Sequence, residues 1–430
     1  MDGEVEEMLR ALYGAITVEQ GRWEARFGAH RLTSAFQPIY SFPHRRPVGY
    51  EALVRVMDQG GSPVSPLRAF EAVSSFDEQV MLDRLCRLLH VHNFVAQGMP
   101  DCWLFLNIHP AVFVHAAQQV QMLARAVEVV HQLGLPTHRL VFEVTEDVMS
   151  QDQCFEAAVE AARATGCLLA LDDFGVGHSN FDRIWRIKPE IVKLDRSLLR
   201  HALDSRRMAR VLTQMVALLH ECGAMVLLEG VETTEEAQVA MEADVDLVQG
   251  YAFGHPQAAL RQASGAIGGS AEVSAEVEGV WQRFNNHHAQ QRRVHEERLA
   301  PFRTALTLAL QPLQQGQDLA QACATFLQLQ GSQMCYLLDE QGCELGPRVG
   351  GAGAHQVLDE RFIPMERAGD ARWARRPYFR RAIESVGELQ VTRPYLSLHG
   401  ARLCVTVSVA FWQDGRLRVL CGDVDWGEGG

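Results

Sequence analysis

Short apolar runs alternate with helical stretches through the first 250 residues or so of the chain. Runs at 35–39, 48–56, 102–107, 139–144, 168–172, 191–194, 224–228 and 247–249 read as strands. From the third run onward, the segments between them repeat apolar residues at spacings of three and four, as in 112–133 and 198–219. That is the period of a helix with one face on a sheet. Strands and helices alternating in this way over about 225 residues predict an α/β fold, a TIM-type (β/α)8 barrel. The first two runs are joined by residues 40–47 alone, too few for a crossover helix, so the first strand is expected to be antiparallel.

The flanks differ. Residues 1–30 look like a polar helical leader, with the barrel at 31–260. Residues 258–270 are rich in Ala, Gly and Ser, a plausible boundary. Val273, Val277, Trp281 and Phe284 then form one helical stripe, followed by the polar stretch 285–298, so 261–315 is expected to be a linker with a connecting helix. The stripe is expected to offer a second contact in a homodimer that also uses the barrel. Beyond Gly331 strand patterns return at 334–339, 402–412 and 416–423, with turns at Glu340-Gln341-Gly342 and Gln413-Asp414-Gly415 and a helix near 373–385. Residues 316–430 are thus expected to form a separate α+β module. No internal repeat is visible. His287, His288 and His295 fit a solvated helix surface better than a metal site. Gly350-Gly351-Ala352-Gly353 lacks the Lys-Ser/Thr of a phosphate loop and reads as a flexible loop.

Composition narrows the classes. Of 430 residues 47% are hydrophobic, enough to bury a sizeable core, and the net charge is -13. Such a balance argues against a nucleic-acid polymer or anionic membrane as partner, which would call for an excess of Lys and Arg. A phosphate ester can still be bound if divalent cations supply positive charge locally. No apolar stretch is long enough to span a bilayer, and the N-terminus lacks a basic-then-apolar signal, so a cytoplasmic location is expected. The 10 cysteines are scattered singly, without a Cys-x-x-Cys pair, and read as reduced thiols in the core.

The barrel strands carry charge where it is costly. Glu51 sits in Gly-Tyr-Glu-Ala-Leu-Val, Asn107 follows Leu104-Phe105-Leu106, and Glu143 lies in Leu-Val-Phe-Glu-Val. Asp172 and Asp173 end a run at 168–171, Lys193 lies in Ile-Val-Lys-Leu-Asp, Glu229 follows 226–228, and Gln249 follows Leu247-Val248. One buried unpaired carboxylate is expensive and several together more so. A single one of these could be a solvated strand end. One per βα unit points instead to a cluster at the converging strand ends that holds metal ions. Five carboxylates and an amide, without Cys, are hard oxygen ligands suited to Mg²⁺ or Mn²⁺. Two such ions at a phosphodiester would support in-line attack by water.

On these residues the chain resembles the EAL family of cyclic di-GMP phosphodiesterases, named for the motif standing here as Glu51-Ala52-Leu53. The likeness spans 35–256. It takes in Phe36-Gln37-Pro38-Ile39, Val54-Arg55, Asn107, Glu143-Val144-Thr145-Glu146, Asp172-Asp173-Phe174-Gly175, Lys193-Leu194-Asp195, Glu229-Gly230-Val231-Glu232 and Gln249-Gly250-Tyr251, in order and at matching spacing. The resemblance implies metal-dependent hydrolysis of cyclic di-GMP to linear pGpG with two Mg²⁺ or Mn²⁺ ions. It implies Glu51, Asn107, Glu143 and Asp172 as ligands of the first ion, and Asp173 as a ligand of the second. Lys193 would orient or activate the attacking water. Glu229 would assist as ligand or base. Gln37, Leu53, Arg55 and Gln249 would contact substrate, Arg55 with a planar fork suited to a phosphate oxygen. Glu146 and Ser179 would anchor the loop after the paired aspartates.

That loop departs from the family pattern: Val176, His178 and Asn180 replace Thr, Tyr and Ser. The change bears on rate and metal coupling, with His178 expected to face solvent. The stretch Arg393-Pro394-Tyr395-Leu396-Ser397 and the strand at 402–412 resemble a PAS-like or Cache-like sensory fold. That resemblance implies an unknown small ligand or protein partner, the alternative being a plain dimerisation module. Two other functions are open for the barrel: a non-catalytic cyclic di-GMP receptor, or a scaffold for partner proteins. Members that do not cut lose an acidic ligand or the lysine, and this chain retains them all.

Overall fold

Eight strands close into a ring: β1 (His30–Ser41), β2 (Arg46–Met57), β3 (Trp103–Asn107), β4 (Leu140–Thr145), β5 (Leu168–Phe174), β6 (Ile191–Leu194), β7 (Met225–Leu228) and β8 (Leu247–Gln249). In this computed structural model of the chain, residues 2–99, 101–118, 120–145, 152–175, 181–260, 271–351, 371–397 and 403–427 are described. Strands β2 to β8 run parallel to one another. Strand β1 is antiparallel to both of its neighbours, β2 and β8. This is the (β/α)8 architecture with an antiparallel first strand that the short link 40–47 requires.

Strand alternation fills the barrel. Ile39, Phe105, Val141, Ala170, Ile191, Leu227 and Leu247 form one buried internal cluster. Gly49 belongs there because a Cβ on it would stand 2.7 Å from the Phe105 ring. Outward-facing strand residues such as Leu104, Leu106, Phe142, Leu169 and Val192 pack on the helices.

Several expectations are corrected. Residues 1–30 are helical only over Asp2–Gly14; strands Ile16–Glu19 and Arg22–Phe27 follow as a hairpin, and the second pairs with β1. Gln20 and Gly21 make its turn with φ of 52° and 79°, the two left-handed positions of a tight type I′ turn. The segment 112–133 is helical as expected on both sides of residue 119, over Pro110–Gln118 and Val120–Gln132. The segment 198–219, by contrast, is split into Arg196–Asp204 and Arg206–Glu221. There Ser205 is extended, and its side chain accepts from Met208 N to cap the second helix.

The chain divides into two units, Met1–Asn286 and His287–Gly430. The helix Ala271–Gln314 contributes to each. Within the first unit Val277 and Val280 are buried and Trp281 and Phe284 pack against the barrel's outer core. Of the apolar stripe, Val277, Trp281 and Phe284 are thus packed within this unit. The second unit is an antiparallel sheet built on Ser332–Leu338, Arg416–Asp425 and Leu403–Gln413. Leu299, Phe302 and Leu306 cover one sheet face, and the helix Pro377–Glu384 covers the other. All 10 cysteines are free thiols. Among the described residues, no helix is long and apolar enough to cross a membrane.

Candidate active site

One rule places the site. On each barrel strand, the residue two positions beyond the internal one, toward the same mouth, is polar. Gly49 leads to Glu51, Phe105 to Asn107, Val141 to Glu143 and Ala170 to Asp172. Ile191 leads to Lys193, Leu227 to Glu229 and Leu247 to Gln249. On antiparallel β1 the step runs backwards, from Ile39 to Gln37. With a period of two, all eight face the barrel axis at the carboxyl ends of the parallel strands.

Lys193 is the centre of this ring, with its side chain 1% exposed. Its Nζ stands 2.9 Å from Glu143 Oε1, 3.1 Å from Asp172 Oδ1 and 2.7 Å from Glu229 Oε1. Burial alone would drive the ammonium to lose its proton, but Glu143, Glu51, Asp172 and Glu229 outweigh it and raise the pKa well above the ordinary lysine value. Lys193 is therefore a fixed cation.

Glu51 is held by two amides. Asn107 Nδ2 donates to its Oε1 at 2.7 Å, and Gln249 Nε2 to its Oε2 at 2.6 Å. Gln249 also reaches Gln37 Oε1 at 3.2 Å, and Gln37 Nε2 donates to Gly254 O at 3.3 Å. Burial opposes ionisation of Glu51, but the Lys193 charge and these amide donors win and lower its pKa. Glu143 goes the other way: burial raises it well above the usual carboxyl value against the pull of Lys193. Burial also lifts Glu229, to about 7, with Lys193 opposing and Asp172 and Glu51 adding repulsion.

The last carboxylate, Asp173, adopts φ 57°, a left-handed conformation that costs a non-glycine residue roughly 1–2 kcal/mol. Its backbone N donates to Asp172 Oδ1 at 3.0 Å. Gly175 follows at φ 106°, close against Leu198. The twist turns two successive aspartates toward one place: Asp172, Asp173 and Glu229 offer ligand oxygens within 4.8 Å of one another. Five carboxylates against one ammonium leave an excess of four negative charges if all ionise. That repulsion adds to burial, the larger cause, in raising Glu143 and Glu229. Two divalent cations would cancel it, and an all-oxygen donor set fits hard ions.

Leu53, Arg55 and Asn107 line a neighbouring cavity of about 240 Å³. Asn107 thus joins this cavity to the carboxylate ring. Arg55 donates to Val54 O at 3.2 Å. The far wall comes from Asp83, Arg87 and His90 on the helix Phe76–Val95, which sequence reasoning missed. Asp83 pairs with Arg87 at 2.6 Å and accepts from His109 N at 3.0 Å. Burial lowers His90 to about 3, so it is neutral, and its Nδ1 meets Ser34 Oγ at 2.7 Å. Spacings of four and three on a mostly apolar helix were the available signal. Glu146, Val176, His178, Ser179 and Asn180 lie outside the described residues.

A family model described as the EAL domain matches residues 21–256. The cyclic di-GMP phosphodiesterase RocR of Pseudomonas aeruginosa is 32% identical over 155 residues, 36% of this chain and 38% of that protein. The cyclic di-GMP phosphodiesterase PdeF of Escherichia coli is 24% identical over 225 residues, 51% of this chain and 29% of that protein. The chain spans about a third of the length of the curated relatives it matches. A crystal structure of the Bacillus subtilis YkuI protein, with an EAL domain, in complex with substrate cyclic di-GMP and calcium, shares the fold at TM-score 0.75 and 20% identity. That match covers 92% of this chain and 96% of the other.

Proposed function

The chain belongs to the EAL family, and from that membership we propose that it hydrolyses cyclic di-GMP to linear pGpG with the help of divalent cations, Mg²⁺ or Mn²⁺. The observation that carries the reading is the ring of eight inward polar side chains, one from each barrel strand, centred on Lys193. The named activity of RocR and PdeF, and the cyclic di-GMP and calcium bound by YkuI, support it.

Glu51, Asn107, Glu143 and Asp172 would hold one cation, and Asp173 with Glu229 the other. When bound, such ions supply Lewis-acid chemistry at the phosphodiester. The chain's own residues do the rest. Lys193, protonated and set between three carboxylates, would turn one of its three N–H donors to the attacking water and orient it once cations take up the charge of a carboxylate. Glu229, whose Oε1 stands 2.7 Å from Lys193 Nζ, would assist there either as a ligand or as the base that takes that water's proton. The water oxygen bonds to phosphorus, and one ribose 3′-oxygen leaves and is protonated. Arg55, in the cavity beside Asn107, would hold a phosphate oxygen of the substrate, and Leu53 and Gln37 the adjoining groups. A receptor that binds without cutting has no need of a buried lysine aimed at three carboxylates.

The test is incubation of the purified chain with cyclic di-GMP and Mg²⁺ or Mn²⁺, followed by separation of products. Linear pGpG must accumulate, and the Lys193→Met variant must make far less. Binding without pGpG above the level of that variant would establish the receptor reading instead.

A further inference from the structure

The first unit holds an apolar cavity that the chemistry around Lys193 does not use. One wall is Met8, Leu9 and Leu12 of the helix Asp2–Gly14. That helix precedes residue 21, where the family match begins, so part of the lining comes from outside the matched stretch. Val127 and Val130 of the helix Val120–Gln132 line it as well, with Leu106 and Phe142 from the outer face of β3 and β4.

The space measures about 120 Å³. Side chains in a protein interior normally close up voids larger than a water molecule. Engineered apolar cavities of about 150 Å³ stay dry and take up benzene, so this one has room for about six carbon atoms.

Arg84 and Arg87 are the polar exceptions in an otherwise apolar lining. They lie three residues apart, on one face of the helix Phe76–Val95. Arg87 pairs with Asp83 at 2.6 Å and also borders the cavity beside Leu53, Arg55 and Asn107. Arg84 turns to the outer helix, where its Nη1 donates to Met8 Sδ, a weak acceptor. Burial first, and then the Arg87 charge, weigh against the charge on Arg84, with Asp83 in its favour. A carboxylate would offer that guanidinium a far stronger acceptor than a thioether.

A hydrocarbon would fill the space and bring nothing to Arg84. A small hydrophilic acid would reach Arg84 and leave the apolar wall bare. A molecule with an apolar body and a carboxylate answers both features.

We propose that this cavity binds a small apolar carboxylic acid, with its chain or ring of about six carbons against Leu9, Leu12 and Phe142 and its carboxylate on Arg84.

The experiment is calorimetric titration of the full chain with hexanoate and phenylacetate. The alcohols 1-hexanol and 2-phenylethanol serve as uncharged counterparts, and acetate as the acid without the body. At least one of the two acids binds with a Kd below about 1 mM. The matching alcohol binds about tenfold more weakly or worse, and acetate shows no saturable binding up to about 10 mM. Arg84→Leu removes the charge and weakens the acid about tenfold or more, while the alcohol binds as before. Ala158→Leu, on the cavity wall, fills the space and abolishes binding of acid and alcohol alike. Thermal melts confirm that the variants fold; Leu9→Trp fills the space from the outer helix should Ala158→Leu fail to fold. The proposal is overturned if neither acid binds in the millimolar range, if the alcohols or acetate bind as tightly as the acids, or if Arg84→Leu or the folded cavity-filling variant binds the acid as the parent chain does.

Discussion

Lys193 and Glu143 meet 2.9 Å apart with 1% and 0% of their side chains exposed, so neither can be answered by water if the other is removed. Losing one partner of such a pair costs about 3–5 kcal/mol, because the survivor is left as an uncompensated buried charge. Here the loss is sharper, since Asp172 and Glu229 lean on the same ammonium.

Lys193→Met is therefore expected to melt well below the parent chain in chelator, and to recover much of the difference with Mg²⁺ or Mn²⁺, which replace the missing positive charge. Turnover of cyclic di-GMP should fall by about two orders of magnitude or more, while its binding weakens far less. Parallel melting curves and single-turnover assays decide the matter. Unchanged turnover would remove Lys193 from the proposed chemistry.

Glu51→Gln tests the amide clamp. Asn107 and Gln249 each aim an NH₂ at Glu51, and a glutamine there can accept through only one oxygen. One amide must turn or lose its acceptor, at a cost of about 1–3 kcal/mol. The variant should lose stability in chelator, bind Mn²⁺ more weakly by calorimetry, and turn over little substrate. Normal Mn²⁺ affinity would show that Glu51 is a structural acceptor and not a ligand.

Chelation and reloading test the charge excess. With five carboxylates around one ammonium, the metal-free barrel carries unresolved repulsion. Mg²⁺ or Mn²⁺ at a hundred times its Kd should stabilise it by about 2.7 kcal/mol, visible as a higher melting temperature, and hydrolysis should stop in excess chelator and return with either ion. Full hydrolysis in excess chelator would refute metal dependence.

The barrel and its ring were legible because both follow from a period of two: a polar residue two places past an internal apolar one shows in the sequence as Leu-Val-Phe-Glu-Val or Ile-Val-Lys-Leu. Features that obey no such period were not. The hairpin at 16–27 turns on Gln20-Gly21, where glutamine takes a left-handed φ usually signalled by Asn or Asp. The helix break at Ser205 hides inside a continuous apolar stripe. Asp83, Arg87 and His90 sit on a helix that also buries His92 and Asn93, so their spacing of four and three does not separate residues that border a cavity from polar residues held in the core. Asp423 looks like an ordinary strand residue until Thr406 is placed opposite it by the register.

In the second unit, Asp423 gives a stability signature of its own. Its carboxyl has a pKa of about 6 in the folded chain, against 3.8 for the ordinary side chain, because burial outweighs the Thr406 hydrogen bond and the Arg348 charge, while Glu344 nearby adds to the rise. Between those values the folded state holds a proton that the unfolded state has released. Stability therefore falls as pH rises from about 4 to about 6, and the loss persists above that range. A shift of about two units amounts to about 3 kcal/mol at most. Asp423→Asn removes the charge but keeps an oxygen for Thr406 to donate to. The second unit should then be more stable than the parent at pH 7 and no more stable at pH 4, a crossover measurable by denaturant unfolding at the two values. A natural residue whose neutral isostere is better for folding is one retained for something other than the fold. If the variant is equally or less stable at pH 7, the carboxylate belongs to the structural network of Tyr336, Thr406 and Tyr395.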